Sequence, residues 1–320
     1  MADFRDVKII FWGTPEFALP SEEALFKNGY NIAAVVTNPD EPIGRKQILT
    51  APPVKIFAQK HRIPVFQPPN IKNPNFKKEI PEAELYIVAA YGKIIPKEIL
   101  NLPRYGILNI HPSLLPRWRG PSPIQYTILH GDTETGVTII KMDEWMDHGP
   151  AIAASSFQIS DSSKSTYKEL HDKLAKLGSE LLIDILPKWL KGEITPMPQD
   201  DLKATYSKIL KKEDGRIKWD RPAEEIERTI RAFNPWPGTW TIWPTGTKIY
   251  RIRIEEGEAI EDEPPHGSYG YLWSFNRYPI LIKTGKGSLW VKKLTLGGKN
   301  LLKAEDFLRG HGQFIGSLLI

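Results

Sequence analysis

The residues of this chain best suited to chemistry lie in two short stretches. In Ile107–Gln125, ILNIHPSLLPRWRGPSPIQ, an apolar run ends at Asn109–Ile110–His111 and a proline follows at once. Proline cannot donate to a sheet ladder, so the strand should end there. Alternate residues of a strand share a face, which puts Asn109 and His111 side by side with Ile110 behind them. An imidazole titrates near neutrality and can move protons there. A carboxamide N–H beside it can stabilise an oxyanion. Strand ends of this kind are where open α/β sheets bind ligands. The pair is not specific by itself, because a capped strand with a surface histidine has the same residue types. The second stretch, Asp143–Pro150 (DEWMDHGP), follows the strand-like Gly136–Met142 (GVTIIKM). It offers three carboxylates, Asp143, Glu144 and Asp147, that could reach the same sheet edge, and type and spacing do not choose among them. A carboxylate beside an imidazole fixes its tautomer and stabilises its charged form.

The elements that must position these groups can be read around them. Val7–Trp12, Ile32–Thr37, Pro64–Gln67, Leu85–Ala90, Ile107–Ile110, Gly136–Met142 and Ala151–Ile159 read as strands. Val54–His61, Pro121–His130 and Ser163–Leu190 read as helices, the last with Leu170, Leu174, Leu177, Leu181 and Ile185 spaced by threes and fours. Strands alternating with helices predict an α/β, Rossmann-like domain on a mostly parallel sheet. Gly13–Thr14–Pro15 turns the first strand into a helix, with Thr14 as N-cap and Pro15 at the first helical position. The GxGxxG fingerprint is missing there, so a dinucleotide is not implied. Asn38–Pro53 (NPDEPIGRKQILTAPP) is too irregular for a regular element, and a loop of that length in a compact domain points to function. Its Gly44–Arg45–Lys46 tip could reach a phosphate. Glu193–Asp201 (EITPMPQDD) is a proline-broken connector. Beyond it, TWTIW, KIYRIRI, YPILIKT and SLWVKKL recur between Gly and Pro signals, the pattern of a small β-barrel. The expected organisation is a domain over 1–192, a linker over 193–205 and a second domain over 206–320.

Composition narrows the function classes. The chain has 320 residues, 41% of them hydrophobic, enough for two cores. It has no cysteine, which removes a disulfide framework, thiolate zinc sites and a cysteine nucleophile. No HExxH-type spacing occurs, so no metal is expected. Met1–Arg5 has no basic n-region before an apolar stretch, and no apolar run approaches the length of a membrane helix. The expectation is a cytoplasmic monomer with no membrane partner. Residues 1–200 carry 23 basic and 23 acidic residues, so the net charge of +5 lies wholly in 201–320. There Arg277–Lys303 holds seven basic residues and no acidic one, after an acidic cluster at Glu255–Glu263. A domain polarised in this way suggests a polyanion, and nucleic acid in particular. Lys292 and Lys293 are the phosphate-binding candidates inside the acid-free run.

The long segment NIHPSLLPRWRGPSPIQ resembles the active-site loop of the folate-dependent formyltransferases, and in particular that of the tRNA-acting members. The opening FWGTPEFALP and the junction ATYSKILKKEDGRIKW with RAFNPWPGTWT are similar to the same family, whose second domain is OB-like. The resemblance implies transfer of the formyl group of 10-formyltetrahydrofolate to the amino group of initiator methionyl-tRNA, for translation initiation. It also chooses among the carboxylates: MDEWMDHGP resembles the family's MDEGLDxGP, whose second Asp is catalytic, which is Asp147 here. His111 would then move the proton, Asn109 would face the oxyanion and Asp147 would supply the carboxylate. Ser113, Leu114, Leu115, Pro116 and Asp143 would wall the folate, joined by Tyr91 at another strand end. Arg45 and Lys46 would contact the acceptor end of the tRNA; Gln47 and Ile48 stand where relatives carry further basic residues, so the likeness extends no further along that loop. Pro112, Trp145 and His148 also depart from the family's common residues, beside the expected folate pocket. Two other functions suit the same features: a sugar-nucleotide N-formyltransferase using the same donor, and an RNA-binding protein that kept the fold without the chemistry. The presence of Asn109, His111 and Asp147 together argues against the last.

Overall fold

The computed structural model describes residues 4–44, 46–73, 75–162, 164–262, 267–275 and 277–320. The chain divides into two compact units. The first comprises Met1–Pro123, Glu134–Gln158 and Leu170–Lys208, and the second Ile124–Thr133, Ile159–Glu169 and Ile209–Ile320.

In the first unit the apolar runs become one seven-stranded sheet. In chain order the strands are β1 (Lys8–Gly13), β2 (Asn31–Val36), β3 (Glu41–Ile43), β4 (Ile48–Thr50), β5 (Val65–Phe66), β6 (Leu85–Ala89), β7 (Ile107–His111), β8 (Glu134–Lys141) and β9 (Ala151–Gln158). The helices along this part of the chain are α1 (Leu19–Lys27), α2 (Pro53–Lys60), α3 (Phe76–Glu79), α4 (Lys97–Leu100), α5 (Pro123–Leu129), which after Pro123 belongs to the second unit, and α6 (Tyr167–Leu190), which belongs to the first unit from Leu170 on. The order across the sheet is β5–β2–β1–β6–β7–β8–β9. The first five run parallel, and β8 and β9 are antiparallel to their neighbours. This is the Rossmann-like, mostly parallel sheet expected from the alternation of elements. Every residue of β6 is buried, as an apolar run covered on both faces requires.

Three local expectations change. Thr14 does not cap α1: the helix starts at Leu19 with Pro20 in its first turn, and the Thr14 hydroxyl accepts instead from the Asn38 N–H at 3.3 Å. The segment 38–53 is not wholly irregular, because β3 and β4 pair with each other as a short hairpin, Glu41 opposite Thr50. Helix α6 starts at Tyr167, behind a capping box in which Thr166 and Glu169 each accept the other's N–H. Ser163, the expected start, lies outside the described residues. The buried stripe of α6 is Leu170, Leu174, Gly178, Leu182 and Ile185, with Leu177 and Leu181 half-buried on its flank. Gly178 lets this helix pass close behind β7, where a Cβ would meet Ile110 Cγ2 at 2.7 Å. Ile110, the residue between Asn109 and His111, is thereby backed by a helix.

The second unit holds α7 (Ala223–Phe233), β10 (Thr239–Thr245), β11 (Lys248–Ile260), β12 (Leu272–Phe275), β13 (Tyr278–Lys283), β14 (Ser288–Leu296), β15 (Leu301–Lys303) and α8 (Ala304–Gly310). Its antiparallel sheet has the order β10–β11–β14–β13–β12, with β15 added to β14. The last residues join its two edges. Ile242 and Ile320 exchange backbone hydrogen bonds at 2.9 and 3.0 Å on the β10 side. On the β12 side the Leu272 N–H donates to Ser317 O, and the Leu319 N–H to Gly270 O, both at 3.0 Å. The C-terminal segment thus closes the sheet into the small OB-like barrel expected, around a core that includes Trp243, Ile252, Leu289, Phe307 and Phe314.

Candidate active site

Strand β7 lies between parallel β6 and antiparallel β8, with Asn109 opposite Val88 and Ile140, and His111 opposite Thr138. Thr138 then organises the turn after the strand: its hydroxyl donates to Ser113 O at 2.8 Å and accepts from the Leu115 N–H at 3.0 Å. The Ser113 hydroxyl donates to Arg117 O at 2.6 Å. At the end of this turn Trp118 adopts φ 58°, a conformation rare for a bulky residue. That conformation sends its carbonyl back to His111, whose Nε2 lies 3.0 Å from it.

A carbonyl oxygen can only accept, so Nε2 carries the proton and the neutral ring presents its lone pair at Nδ1. Asp147 faces that atom, with Oδ1 3.6 Å from His111 Nδ1. The carboxylate is held from two further sides: the Gly120 N–H donates to Oδ2 at 2.8 Å, and Asn109 Nδ2 to Oδ1 at 3.3 Å. Asp147 itself sits at φ 50°, a left-handed conformation that Asp tolerates better than most side chains. His111 is only 4% exposed. The tautomer is therefore set by the Trp118 carbonyl and not, as expected from residue types, by the carboxylate. The carboxylate remains placed to stabilise the imidazolium once Nδ1 is protonated.

The other residues singled out from sequence are dispersed. Asp143 accepts from Trp145 N–H at 2.9 Å and pairs with His148 Nδ1 at 2.6 Å. The bond to Asp143 is the largest influence raising the His148 pKa, with Asp201 adding to it. Glu144 is ion-paired to Lys97 on α4, and Trp145 stands 74% exposed. Ser113 is buried with its hydroxyl engaged, while Leu114, Leu115 and Pro116 are half-buried. The Tyr91 ring is buried in the core edge-on to Trp12 at 5.2 Å, so at the sheet edge this residue offers its backbone; burial pushes its phenol up to about 12. Lys46 is exposed next to the hairpin turn, and Arg45 lies outside the described residues. Lys292 and Lys293 reach across the barrel sheet to β11, pairing with Glu258 and Glu256, each at 2.6 Å. The acid-free run is thus partly offset by the acidic cluster before it. Among the described residues no three His, Cys, Asp or Glu group as a metal site.

Sequence reasoning missed the residues that hold the Trp118–Gly120 turn. Thr205 Oγ1 accepts from the Trp118 N–H at 2.9 Å, and Ser207 Oγ donates to Arg119 O at 3.1 Å. Both lie more than 80 residues away in the chain, and only the ATYSK wording marks them.

Residues 7–186 match the family described as formyl transferase, and residues 209–312 match its C-terminal domain. The chain is 41% identical to the methionyl-tRNA formyltransferase of Myxococcus xanthus, over 97% of each chain. It is 46% identical to the protein of that name from Chloroflexus aurantiacus, over 95% of this chain and 97% of that one. Among solved structures it is similar in fold to an N-formyltransferase from Helicobacter canadensis in complex with folinic acid and dTDP-3-aminofucose. That likeness has a TM-score of 0.63 and 18% identity, and covers 88% of this chain and 97% of that one. It is also similar to HypX from Aquifex aeolicus, with a TM-score of 0.62 and 17% identity to the tetrahydrofolate complex. That match covers 96% of this chain, which spans about half of HypX, 47% of its length.

Proposed function

The chain belongs to the formyl transferase family, by a match to each of its two parts and by relatives 41% and 46% identical along nearly its whole length, and on that premise we propose that it transfers the formyl group of 10-formyltetrahydrofolate to the amino group of initiator methionyl-tRNA. The observation that carries the mechanism is the convergence of Asn109, His111 and Gly120 on the carboxylate of Asp147.

The amine of the methionyl ester attacks the formyl carbon, and His111 Nδ1 takes the proton it loses. The imidazolium so formed faces Asp147 at 3.6 Å, where the negative charge favours it. The formyl oxygen becomes an oxyanion, and Asn109, whose amide has a second N–H beyond the one given to Asp147, donates to it. Comparable donors contribute about 2.7–4 kcal/mol in acyl transfer. As the tetrahedral state collapses, the bond from carbon to folate N10 breaks and His111 returns its proton to the leaving nitrogen. No step needs a metal. Leu114, Leu115 and Pro116, with the Asp143–Asp147 loop, wall the folate. Arg45, Lys46, Lys292 and Lys293 meet tRNA phosphates, with the barrel as the main tRNA-binding domain. The reading places the reaction in the cytoplasm, where a chain without cysteine needs no oxidising compartment, and has the protein act as a monomer.

The test offers methionyl-tRNA and amino-sugar nucleotides side by side with 10-formyltetrahydrofolate. Formylation of the charged tRNA alone is the expected result. Formylation of the sugar nucleotide alone would replace this reading with that of a sugar N-formyltransferase.

A further inference from the structure

Residues 187–208 lie between the two family matches; 187–190 complete α6, and from sequence 193–205 read as a linker. In the structure they form a strap pinned to the first unit by backbone pairing at both ends. Ala151 and Met197 exchange two hydrogen bonds at 2.8 Å. Thr205 and Ser207 pair with the active-site turn: the Arg119 N–H donates to Thr205 O at 2.9 Å, and the Ser207 N–H to Arg119 O at 2.7 Å. A connector fixed in this way needs nothing of the side chains between. Gln199, midway along it, nevertheless makes three side-chain bonds. Its Nε2 donates to the carbonyls of Asp147 and Gly149, each at 2.8 Å. Its Oε1 accepts from Arg119 Nε at 3.0 Å. Both amide donors and its acceptor are therefore engaged, which leaves the side chain one orientation.

From this arrangement we infer that Gln199 is a positioning residue for the reaction, clamping the backbone on both sides of His148 so that Asp147 keeps its carboxylate against His111 and Asn109. The inference rests on the catalytic reading of Asp147. The clamp acts where it is needed, since Asp147 holds a left-handed backbone at φ 50°. Arg119 is the anchor behind it: 2% exposed, bonded through Nη2 to Asp201 Oδ1 at 2.8 Å, and one residue before the Gly120 N–H that binds Asp147 Oδ2. One guanidinium thus sets both the amide that holds the Asp147 backbone and the turn that holds its side chain.

The experiment measures single-turnover formylation of methionyl-tRNA, KM for both substrates and Tm for Gln199→Met in the native and Asp147→Asn backgrounds. Gln199→Met keeps the length and removes all three bonds. Gln199→Glu, the second variant should Met not fold, keeps the acceptor for Arg119 but turns an oxygen toward the two carbonyls. Displacement of a reacting group by about 1 Å costs ~10²-fold in rate, so either variant should lower kcat by roughly 10–100-fold while both KM values stay within about threefold. In the Asp147→Asn background the same change should add less than about twofold, because the group it positions is already disabled. Near-native kcat for Gln199→Met or Gln199→Glu would overturn the inference, as would a loss that multiplies in the double variant. Should Asp147→Asn alone keep full activity, the catalytic reading fails first, and the cycle distinguishes that failure from failure of the strap.

Discussion

Gly149→Ala should separate the position of Asp147 from its chemistry. Gly149 closes the loop that carries Asp147, and a Cβ built there would lie 1.9 Å from the carbonyl oxygen of Lys141, at the end of β8. Real Cβ atoms essentially never come within 3.0 Å of such an atom. The obstacle is backbone in a strand paired on both sides, so it is the loop that must give. The displacement needed is about 1 Å, a shift that costs ~10²-fold when it misplaces a reacting group. It also strains the 2.9 Å bond from the Lys141 N–H to Pro150 O, and overpacking of this kind costs roughly 1–3 kcal/mol of stability. The expected result is a kcat for methionyl-tRNA formylation lowered by about two orders of magnitude, with Tm reduced but a cooperative melt retained. Gly310→Ala is the control. No atom lies within 4 Å of its Cβ, so activity should change by less than about twofold, and stability, at this last residue of α8, should rise by less than the roughly 0.5–1 kcal/mol of a mid-helix glycine. Gly149→Ala with kcat within a factor of two of native would refute the claim that the geometry of this loop sets the rate.

Other sites give independent tests. Glu22 is fully buried in α1 with no partner for either oxygen among the described residues, and desolvation first, then Glu23, raises its carboxyl from 4.5 to about 8. Between those values the folded chain holds a proton the unfolded chain releases, so its contribution falls as pH rises from 4.5 toward 8. Glu22→Leu should therefore raise Tm, by more at pH 8 than at pH 5, with a gain on the order of 3 kcal/mol near neutrality; equal gains at both pH values would contradict the burial argument. Thr205→Val strips the acceptor from the Trp118 N–H and should cost about 1–3 kcal/mol in a denaturant melt, against near zero if that bond is idle. Lys292→Ala with Lys293→Ala breaks two surface ion pairs worth about 0–1 kcal/mol each, so stability should barely change. If the pair meets phosphates, the salt slope of tRNA binding should become shallower by about one unit for each phosphate left without its lysine; an unchanged slope would leave them as partners of Glu256 and Glu258 alone.

The scaffold of the site was legible in the sequence where burial imposes a pattern. The apolar runs that became β1, β6, β7 and β8 were visible because a sheet covered on both faces admits little else. The pairing of Asn109 with His111 follows from the two-residue period of a strand stopped by Pro112. What stayed hidden was held by backbone or by distant chain. The β3–β4 hairpin has three residues per strand, exposed through most of its length, so no core wrote a pattern into it. The closure of the barrel by Ser317–Ile320 depends on main-chain bonds that any side chains permit. Among Asp143, Glu144 and Asp147 the residue types gave no choice; the Gly120 N–H and the Asn109 amide mark Asp147 only once the chain is folded. The group that sets the His111 tautomer is a carbonyl, Trp118 O, and a carbonyl carries no residue type to read. The direction of the Tyr91 ring was hidden too: its place in the chain is at a strand end, but the ring turns inward to Trp12.

The central claim is that His111 moves the proton in formyl transfer, and its most direct test is the single-turnover rate of methionyl-tRNA formylation by His111→Ala, with tRNA affinity measured on the same protein. Loss of a general acid–base lowers a rate by about 10²–10⁴-fold. The account predicts a loss of that size in turnover, with tRNA affinity close to native. Turnover within a few-fold of native by a folded His111→Ala enzyme would contradict it.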